Sequence, residues 1–392
     1  MPNWHNWSGR ITAEPERLVF IRSPEDACAL ASAAQRDGKS IRVGGATHSH
    51  APLVAHDGII AYADGLAGVL AVDAASERAW IGAGTRIYAL GHALHQHGLA
   101  LHNQGDIDQQ ALAGATGTGT HGTGAALNSL SARVTGMRIA LASGELVTAS
   151  ETQHRELWQA ARLHLGAFGI VTAIELQLRR AYRLREQGWQ MSLDAALDGF
   201  FERAAQHRHY EFFWYPQADN AIVKAIDETE DAPEYPLADE GARCGWNYEV
   251  LPNHRPHKHT EMEYSVPADT ALDCVREIRD LLRNQFADVA WPVEFRTLAA
   301  DDVWLSSAYE RPTVTISVHQ DVRQDETAYY RACEAIFLRH GGRPHWGKVH
   351  YLNREQLSER HPRWSDWWQA RNSVDPDGVF LNDHLAALRP DA

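Results

Sequence analysis

Up to residue 180 the apolar positions come in short bursts punctuated by glycine. "LVFI" (18–21) reads as a strand. Ser23 stands as a helix N-cap with Pro24 at the first helical position. Ala27, Leu30, Ala31 and Ala34 then recur on one helical face until Gly38 stops the run. "SIRV" (40–43) is a second strand that runs straight into Gly44 and Gly45, so the chain opens as a β-α-β unit. Residues 58–90 read as short strands and turns. After glycines 82 and 84 a helix is predicted over 85–97, ended by Gly98. Val134, Met137, Ile139 and Leu141 give a strand pattern that leads to the hairpin signal Ser143-Gly144. "LWQAARLHLGAFGIVTAIELQLRR" (157–180) reads as a helix, a glycine-bearing turn and a long strand.

Beyond residue 180 the texture changes, with denser tryptophan, tyrosine and charge. "EFFWYP" (211–216), "EMEYSVP" (261–267), "VEFRTLAA" (293–300) and "TVTISVHQ" (313–320) are strands with mixed faces. Residues 270–286 and 327–342 are amphipathic helices; Leu272, Val275, Ile278, Leu281 and Leu282 form the apolar face of the first. Strands followed by helices predict an α+β domain, an antiparallel sheet with helices on one side. The acidic, proline- and glycine-bearing stretch 231–245 reads as a surface loop.

With 392 residues the chain is expected to hold two or three domains. Its net charge of −14, from 51 acids against 37 bases, repels nucleic acid and acidic membranes. The opening "MPNWHNWSGR" lacks the basic stretch and apolar run of a secretory signal. "GIIAYADGLAGVLAV" (58–72) is broken by Asp64 and too short to span a bilayer. Cys28, Cys244, Cys274 and Cys333 lie far apart with no C-x-x-C, so a reducing cytoplasm is the expected compartment. The densest of the 22 histidines, His254, His257 and His259 in "NHRPHKH", suit no standard zinc spacing and read as a solvated loop. No metal is expected. The 13 tryptophans read as core and pocket wall.

The stretch "GATGTGTHGTG" (114–124) contains G-x-G-x-x-G at Gly117, Gly119 and Gly122. A Rossmann turn needs a strand directly before the glycines, a long helix directly after, and an acid about 20 residues on. Here "DIDQQALA" precedes them and a β-hairpin follows, so the fold is not Rossmann. A loop of Gly114, Gly117, Thr118, Gly119, Thr120 and Gly122, with His121 its one large side chain, still lets backbone N–H groups approach a pyrophosphate. A merely flexible tight loop is the alternative.

Three segments, in this order and spacing, carry a resemblance: "VGGATHSH" (43–50), "GDIDQQALAGATGTGTHGTG" (105–124), and "RPHWGKVH" (343–350) followed by "DPDGVFLNDHL" (375–385). With "NWSGR" (6–10) and "VEFRTLAADDVWLS" (293–306), they resemble the aldonolactone oxidase and alditol oxidase branch of the vanillyl-alcohol-oxidase-type flavoproteins. The resemblance covers nearly the whole chain. It implies a two-domain α+β flavoprotein: an N-terminal FAD-binding domain (1–178), an antiparallel-sheet cap over the flavin ring (179–345), and a C-terminal segment returning to the FAD domain (346–392).

The resemblance also implies roles. FAD contacts fall to Val43, Gly44, Gly45, Ala46, Thr47, His48 and Ser49, to Gly105, Asp106 and the glycine loop with His121, to Ile170 and Val171, and to His350, Asn382 and His384. His48 matches the position that can bond covalently to the flavin, with His50 the nearby competitor. Alcohol oxidation needs a hydride acceptor, a base for the hydroxyl proton and stabilisation of arriving charge. Lys348 matches the lysine suited to base or charge stabilisation, with burial beside Trp346 expected to lower its pKa. Glu294 and Arg296 alternate on one strand and so share a face. There Glu294 would orient the hydroxyl and Arg296 balance charge; a surface ion pair is the other reading. His319 is a further pocket candidate. Trp291, Tyr264 and Trp346 are candidates for the pocket wall or for core. Asp106 stands where relatives often carry serine, and either alters the charge near the flavin or caps a helix with Asp108. Gly105 favours oxygen access. The substrate expected is a sugar-derived lactone or polyol, with oxygen as acceptor. Residues alone leave open a nicotinamide-dependent dehydrogenase and a non-catalytic binder.

Overall fold

The computed structural model describes residues 2–390; residues 1, 391 and 392, the outer ends of the first and last segments expected above, lie outside the described residues. The opening unit forms for the reasons its sequence gives. The Ser23 side chain accepts the Asp26 N–H at 3.1 Å, and Pro24 starts the helix Pro24–Arg36, which buries Ala27, Ala31 and Ala34. The strands Arg17–Phe20 and Ile41–Gly44 do not touch; both pair in parallel with Ile59–Tyr62, which lies between them. A five-stranded antiparallel sheet follows, in the order Leu146–Ser150, Val134–Ala140, Ile170–Gln177, Arg78–Gly82, Val69–Asp73. The helix expected over 85–97 spans Ile87–His95, because Thr85 is used in the preceding turn, its hydroxyl donating to the Gly82 carbonyl at 2.7 Å.

The glycine stretch is not all loop. Residues Leu112–Thr118 form a short helix that contains Gly114 and Gly117, and Gly119 caps it in the left-handed conformation at φ +80°. Small side chains put the helix against its neighbours: a Cβ at Gly117 would sit 2.5 Å from the His164 ring.

The later strands build one eight-stranded antiparallel sheet. Its order is Cys244–Trp246, Arg183–Ser192, Asn220–Glu228, His209–Tyr215, Val293–Leu298, Thr313–Asp321, His259–Pro267, Arg343–Pro344. Its two faces differ chemically. One carries Phe212, Trp214, Val223, Phe295, Ile316, Met262 and Tyr264, all buried, under the helices Leu193–Leu197, Phe200–Gln206, Ala271–Gln285 and Thr327–Arg339. Each large side chain there contributes roughly 1.5–3 kcal/mol by leaving water. The other face carries charges and opens on a cavity. Past the sheet the chain returns to the first half. The buried Arg42 guanidinium donates to the carbonyls of Leu53, Leu165, Gly166 and Phe380, and the Trp367 indole N–H donates to the Leu163 carbonyl at 3.0 Å. Among the described residues no helix is long and apolar enough to cross a membrane.

Candidate active site

Two cavities meet at one lip, where Thr120, Glu261, His345 and Lys348 line both. The first is a groove in the N-terminal half. The strand Ile41–Gly44 delivers the turn 45–50 to its wall, and Thr47 sits in the left-handed region at φ +56°. The backbone N–H groups of residues 46–49 have no acceptor among the described residues, whereas the His50 N–H is used on the Gly347 carbonyl at 2.7 Å. Four consecutive free amides in such a turn form an anion-binding nest. In the same groove a Cβ at Gly114 would project into open space, and one at Gly45, which leads into the turn, would meet Ala111 Cβ at 3.0 Å. A groove walled by glycine and lined by unsatisfied amides fits the diphosphate of FAD.

Of the residues expected to hold the cofactor, Val43, Gly44, Gly45, Ala46, Thr47, His48, Ser49, Gly114, Gly117, Thr118, Thr120 and Val171 line this groove. Others do not. Gly119 is the helix cap, Gly122 packs on Asn103 and Gln104, and Ile170 is in the core. His350 and His384 face a smaller cavity behind His50, and the Asn382 amide donates to the Pro52 and Ala55 carbonyls. Gly105, Asp106 and His121 line the second cavity. His48 stacks on Trp7 with ring centroids 4.9 Å apart; burial, then Lys348, lowers its pKa to about 4. Asn6 ties this N-terminal strap down, its amide donating to the Ser49 carbonyl at 3.0 Å.

The second cavity, about 870 Å³, is floored by the polar face of the large sheet. Strand register sets its order. One row across the sheet reads Gln190, Ile222, Phe213, Glu294, Ser317, Glu263; the next reads Gly188, Lys224, Glu211, Arg296, Thr315, Ser265. Glu294 and Arg296 share this face and are buried, so they are not a surface pair. Arg296 is shared by two carboxylates, Glu263 at 2.6 Å and Glu294 at 3.1 Å. Glu263 also receives the Ser317 hydroxyl at 2.7 Å and contacts His121 Nε2 at 2.9 Å. Burial alone would raise the Glu263 pKa, but Arg296 and His121 hold it well below the usual range. One guanidinium cannot balance both acids. Glu294 is left with the proton: burial first, with Glu211, Asp106 and Glu261 adding to it against Arg296, pushes its pKa to about 8.

Lys348 is not set against an apolar wall. Its Nζ is ion-paired with Glu261, while Trp346 is buried in the core with its indole N–H on the Leu305 carbonyl at 2.7 Å. Burial would raise the Glu261 pKa; Lys348 and then His259 and His319 hold it well below the carboxylate range. The His319 Nδ1 lies 2.8 Å from the Pro292 carbonyl, an acceptor only, so Nδ1 carries the hydrogen. Its Nε2 therefore offers a lone pair, 3.8 Å from Glu261 Oε1. Burial keeps the ring neutral, with a pKa lowered to about 4.

Asp106 caps no helix; the helix behind it begins after Ala111. It accepts from Arg255 Nε at 2.8 Å, pairs with Asn253, and lies 3.6 Å from Lys224. Trp291 lines the cavity, but Tyr264 is on the opposite face, stacked on Phe337. The reading of "NHRPHKH" as loop holds for the exposed His254 and His257 and fails for His259, which is buried at the start of the strand His259–Pro267, against Trp7 at 5.4 Å and Trp291 at 5.1 Å. Glu261, Glu263, Glu211, Lys224 and His345 were missed. The alternation of acids with Met262 and Tyr264 was the available signal. Three buried trios (His50, His259, Glu261; His121, Glu263, His345; Glu261, Glu294, His319) each bring donor atoms within 4.8 Å, but Arg296 and Lys348 already balance Glu263 and Glu261.

The groove and the charged floor together define an FAD-dependent oxidoreductase acting on CH–OH groups, and residues 15–150 match the FAD binding domain family. Residues 174–243 and 237–388 match D-arabinono-1,4-lactone oxidase, and the chain belongs to that family. It is 32% identical over 423 residues to L-gulono-1,4-lactone dehydrogenase of Mycobacterium tuberculosis, covering 98% of each chain. It is 29% identical over 415 residues to alditol oxidase of a Streptomyces species, covering 98% of each. L-gulonolactone oxidase of Bos taurus is 25% identical over 426 residues, with 97% of each covered. Among solved structures, a cholesterol oxidase variant from Brevibacterium sterolicum superposes with a TM-score of 0.88 over 99% of this chain and 97% of that one, at 17% identity, a likeness of fold alone.

Proposed function

We propose that the protein oxidises a hydroxyl group of an aldonolactone or polyol, the aldonolactone favoured, with oxygen as acceptor and hydrogen peroxide as product. The observation that carries this reading is the polar sheet face meeting the lip of the FAD groove at Lys348 and Glu261. FAD, when bound, supplies the two-electron acceptor for the hydride. His319 Nε2 takes the hydroxyl proton, and the Glu261 carboxylate stabilises the imidazolium that forms. Glu294, protonated at neutral pH, donates to a substrate oxygen and so orients it; Arg296 balances the charge of Glu263 behind it. The Lys348 ammonium stands at the junction as a positive charge for the developing negative one. This inventory suits a hydroxyl-rich substrate better than a phenol.

The division into an FAD domain (1–178), a cap (179–345) and a returning segment (346–392) is part of the same reading. So is a covalent link through His48, supported by its place in the groove wall against Trp7. If His48 is the link, acid precipitation of His48→Ala releases flavin that the parent protein retains; flavin held by the variant moves the bond elsewhere. Gly105 in the cavity wall supports oxygen access, since a Cβ there would press on Thr120 Cγ2 at 3.3 Å. A dehydrogenase using another acceptor differs by slow reoxidation in air. Four unpaired cysteines support a reducing cytoplasm. The deciding experiment is an anaerobic panel of aldonolactones and alditols read by flavin absorbance. Bleaching by members of either class is expected; an unbleached flavin throughout would sink the reading.

A further inference from the structure

The chemistry above uses the buried end of a cavity that is much longer than a simple lactone. Its floor crosses six strands, from Arg183–Ser192 to His259–Pro267. Five strand spacings of about 4.8 Å make roughly 24 Å. A six-carbon chain with bonds of about 1.5 Å reaches roughly 7 Å. When bound, the flavin ring would enter this cavity from the shared lip, where Lys348, Glu261, Thr120 and His345 line both cavities.

The outer end has a character of its own. Outward from Glu294 the register row continues as Phe213, Ile222 and Gln190, about 5, 10 and 14 Å away by strand spacing. Phe213 and Ile222 are only half-buried although they sit mid-sheet, so their apolar surface faces the cavity. Tyr215 lies two residues along on the same face, and its hydroxyl has no hydrogen-bond partner among the described residues. Exposed Gln190, Glu240 and His257 form the rim.

The charges there are mutually satisfied. Lys224 pairs with Glu211 at 2.6 Å, and Arg255 with Asp106 at 2.8 Å and Glu240 at 2.9 Å. The lining of this end holds three acids, Asp106, Asp239 and Glu240, against the two bases, and Glu211 adds a further negative charge beside Lys224, which disfavours an anionic ligand. An alkyl chain would dry these groups without replacing their water. An apolar ring surface edged by free polar groups and a net negative field suits a neutral, hydroxyl-bearing ring.

We infer that the outer half of the cavity is a second sugar subsite. The substrate is then a neutral two-unit molecule, a polyol or aldonolactone carrying a glycosyl group, with that glycosyl ring on Phe213, Ile222 and Tyr215. This rests on the lactone and polyol reading given above. The test uses the FAD-loaded enzyme, anaerobically, with matched probes: sorbitol against maltitol, and glucono-lactone against its 4-O-glucosyl derivative. The glycosylated member of a pair is expected to reduce the flavin with kcat/KM at least tenfold above its parent. Tyr215→Ala and, as a milder second variant, Phe213→Leu are expected to raise KM for the glycosylated probe several-fold and leave that for the parent within twofold. Bleaching by the single-unit probes alone, equal effects of the variants on both probes, or preference for a long-chain alkanol would overturn the subsite while leaving the oxidation of hydroxyls intact. A flavin untouched by any probe would overturn the reading beneath it as well.

Discussion

The groove and the cavity that adjoins it bind by different means. The groove uses main chain: free amides at residues 46–49, glycines that leave room, and side chains that mostly stay out of the way. The cavity floor uses buried ionisable side chains whose charges are set against one another: Arg296 between Glu263 and Glu294, Lys348 on Glu261, Lys224 on Glu211. A main-chain cradle suits a cofactor whose charge is fixed and always present. A floor of coupled acids and bases suits a reaction in which a proton changes hands. It follows that single substitutions should damage the floor through electrostatics and the groove through shape.

The largest expected effect is on the floor. Arg296→Met leaves Glu263 and Glu294 buried without their shared cation, and removing one partner of a buried pair costs roughly 3–5 kcal/mol. Chemical denaturation would measure it; a loss under about 1 kcal/mol would mean the guanidinium is not the balancing charge. Next comes Lys348→Met, for which flavin reduction by substrate should slow at least about tenfold, or about 1.4 kcal/mol of barrier, with an unchanged flavin spectrum. An unaltered rate in stopped flow would remove Lys348 from the chemistry. The smallest is in the groove: Gly114→Val fills open space beside the diphosphate site and should weaken FAD binding by roughly tenfold, about 1.4 kcal/mol, with little change in apoprotein stability. Titration of apoprotein with FAD reads it, and unchanged affinity would place the cofactor elsewhere.

The same contrast explains what the sequence made legible. The groove announced itself because close backbone approach needs glycine and small residues in consecutive positions, a local signal at 43–50 and 114–122. The helix within that stretch was hidden, since glycine and threonine are poor helix formers and tertiary packing on His164 overrides them. Glu294 and Arg296 were readable from strand alternation. Glu261 and Glu263 obey the same rule, but alternation in a strand with mixed faces does not say which face is buried; only the sheet shows that this face is covered by residues of the other half of the chain. The lysine's true neighbour was unreadable because Glu261 and Lys348 are 87 residues apart and meet only through the fold. For the same reason Asp106, far in sequence from Lys224 and Arg255, gave no hint of its partners.

One guanidinium shared by two carboxylates leaves Glu294 protonated in the cavity at neutral pH. Its folded pKa of about 8 against the ordinary 4.5 means the folded protein keeps a proton that the unfolded chain gives up between those values. Stability from this group is therefore full below about pH 4.5 and is lost as pH rises toward and through 8. Infrared difference spectroscopy on the wild type and Glu294→Gln reads the proton directly. A protonated-carboxyl carbonyl band present at pH 7, fading as pH passes about 8 and missing in the variant, is the predicted result. A wild-type spectrum showing only ionised carboxylate at pH 7, or a band that survives Glu294→Gln unchanged, would contradict it.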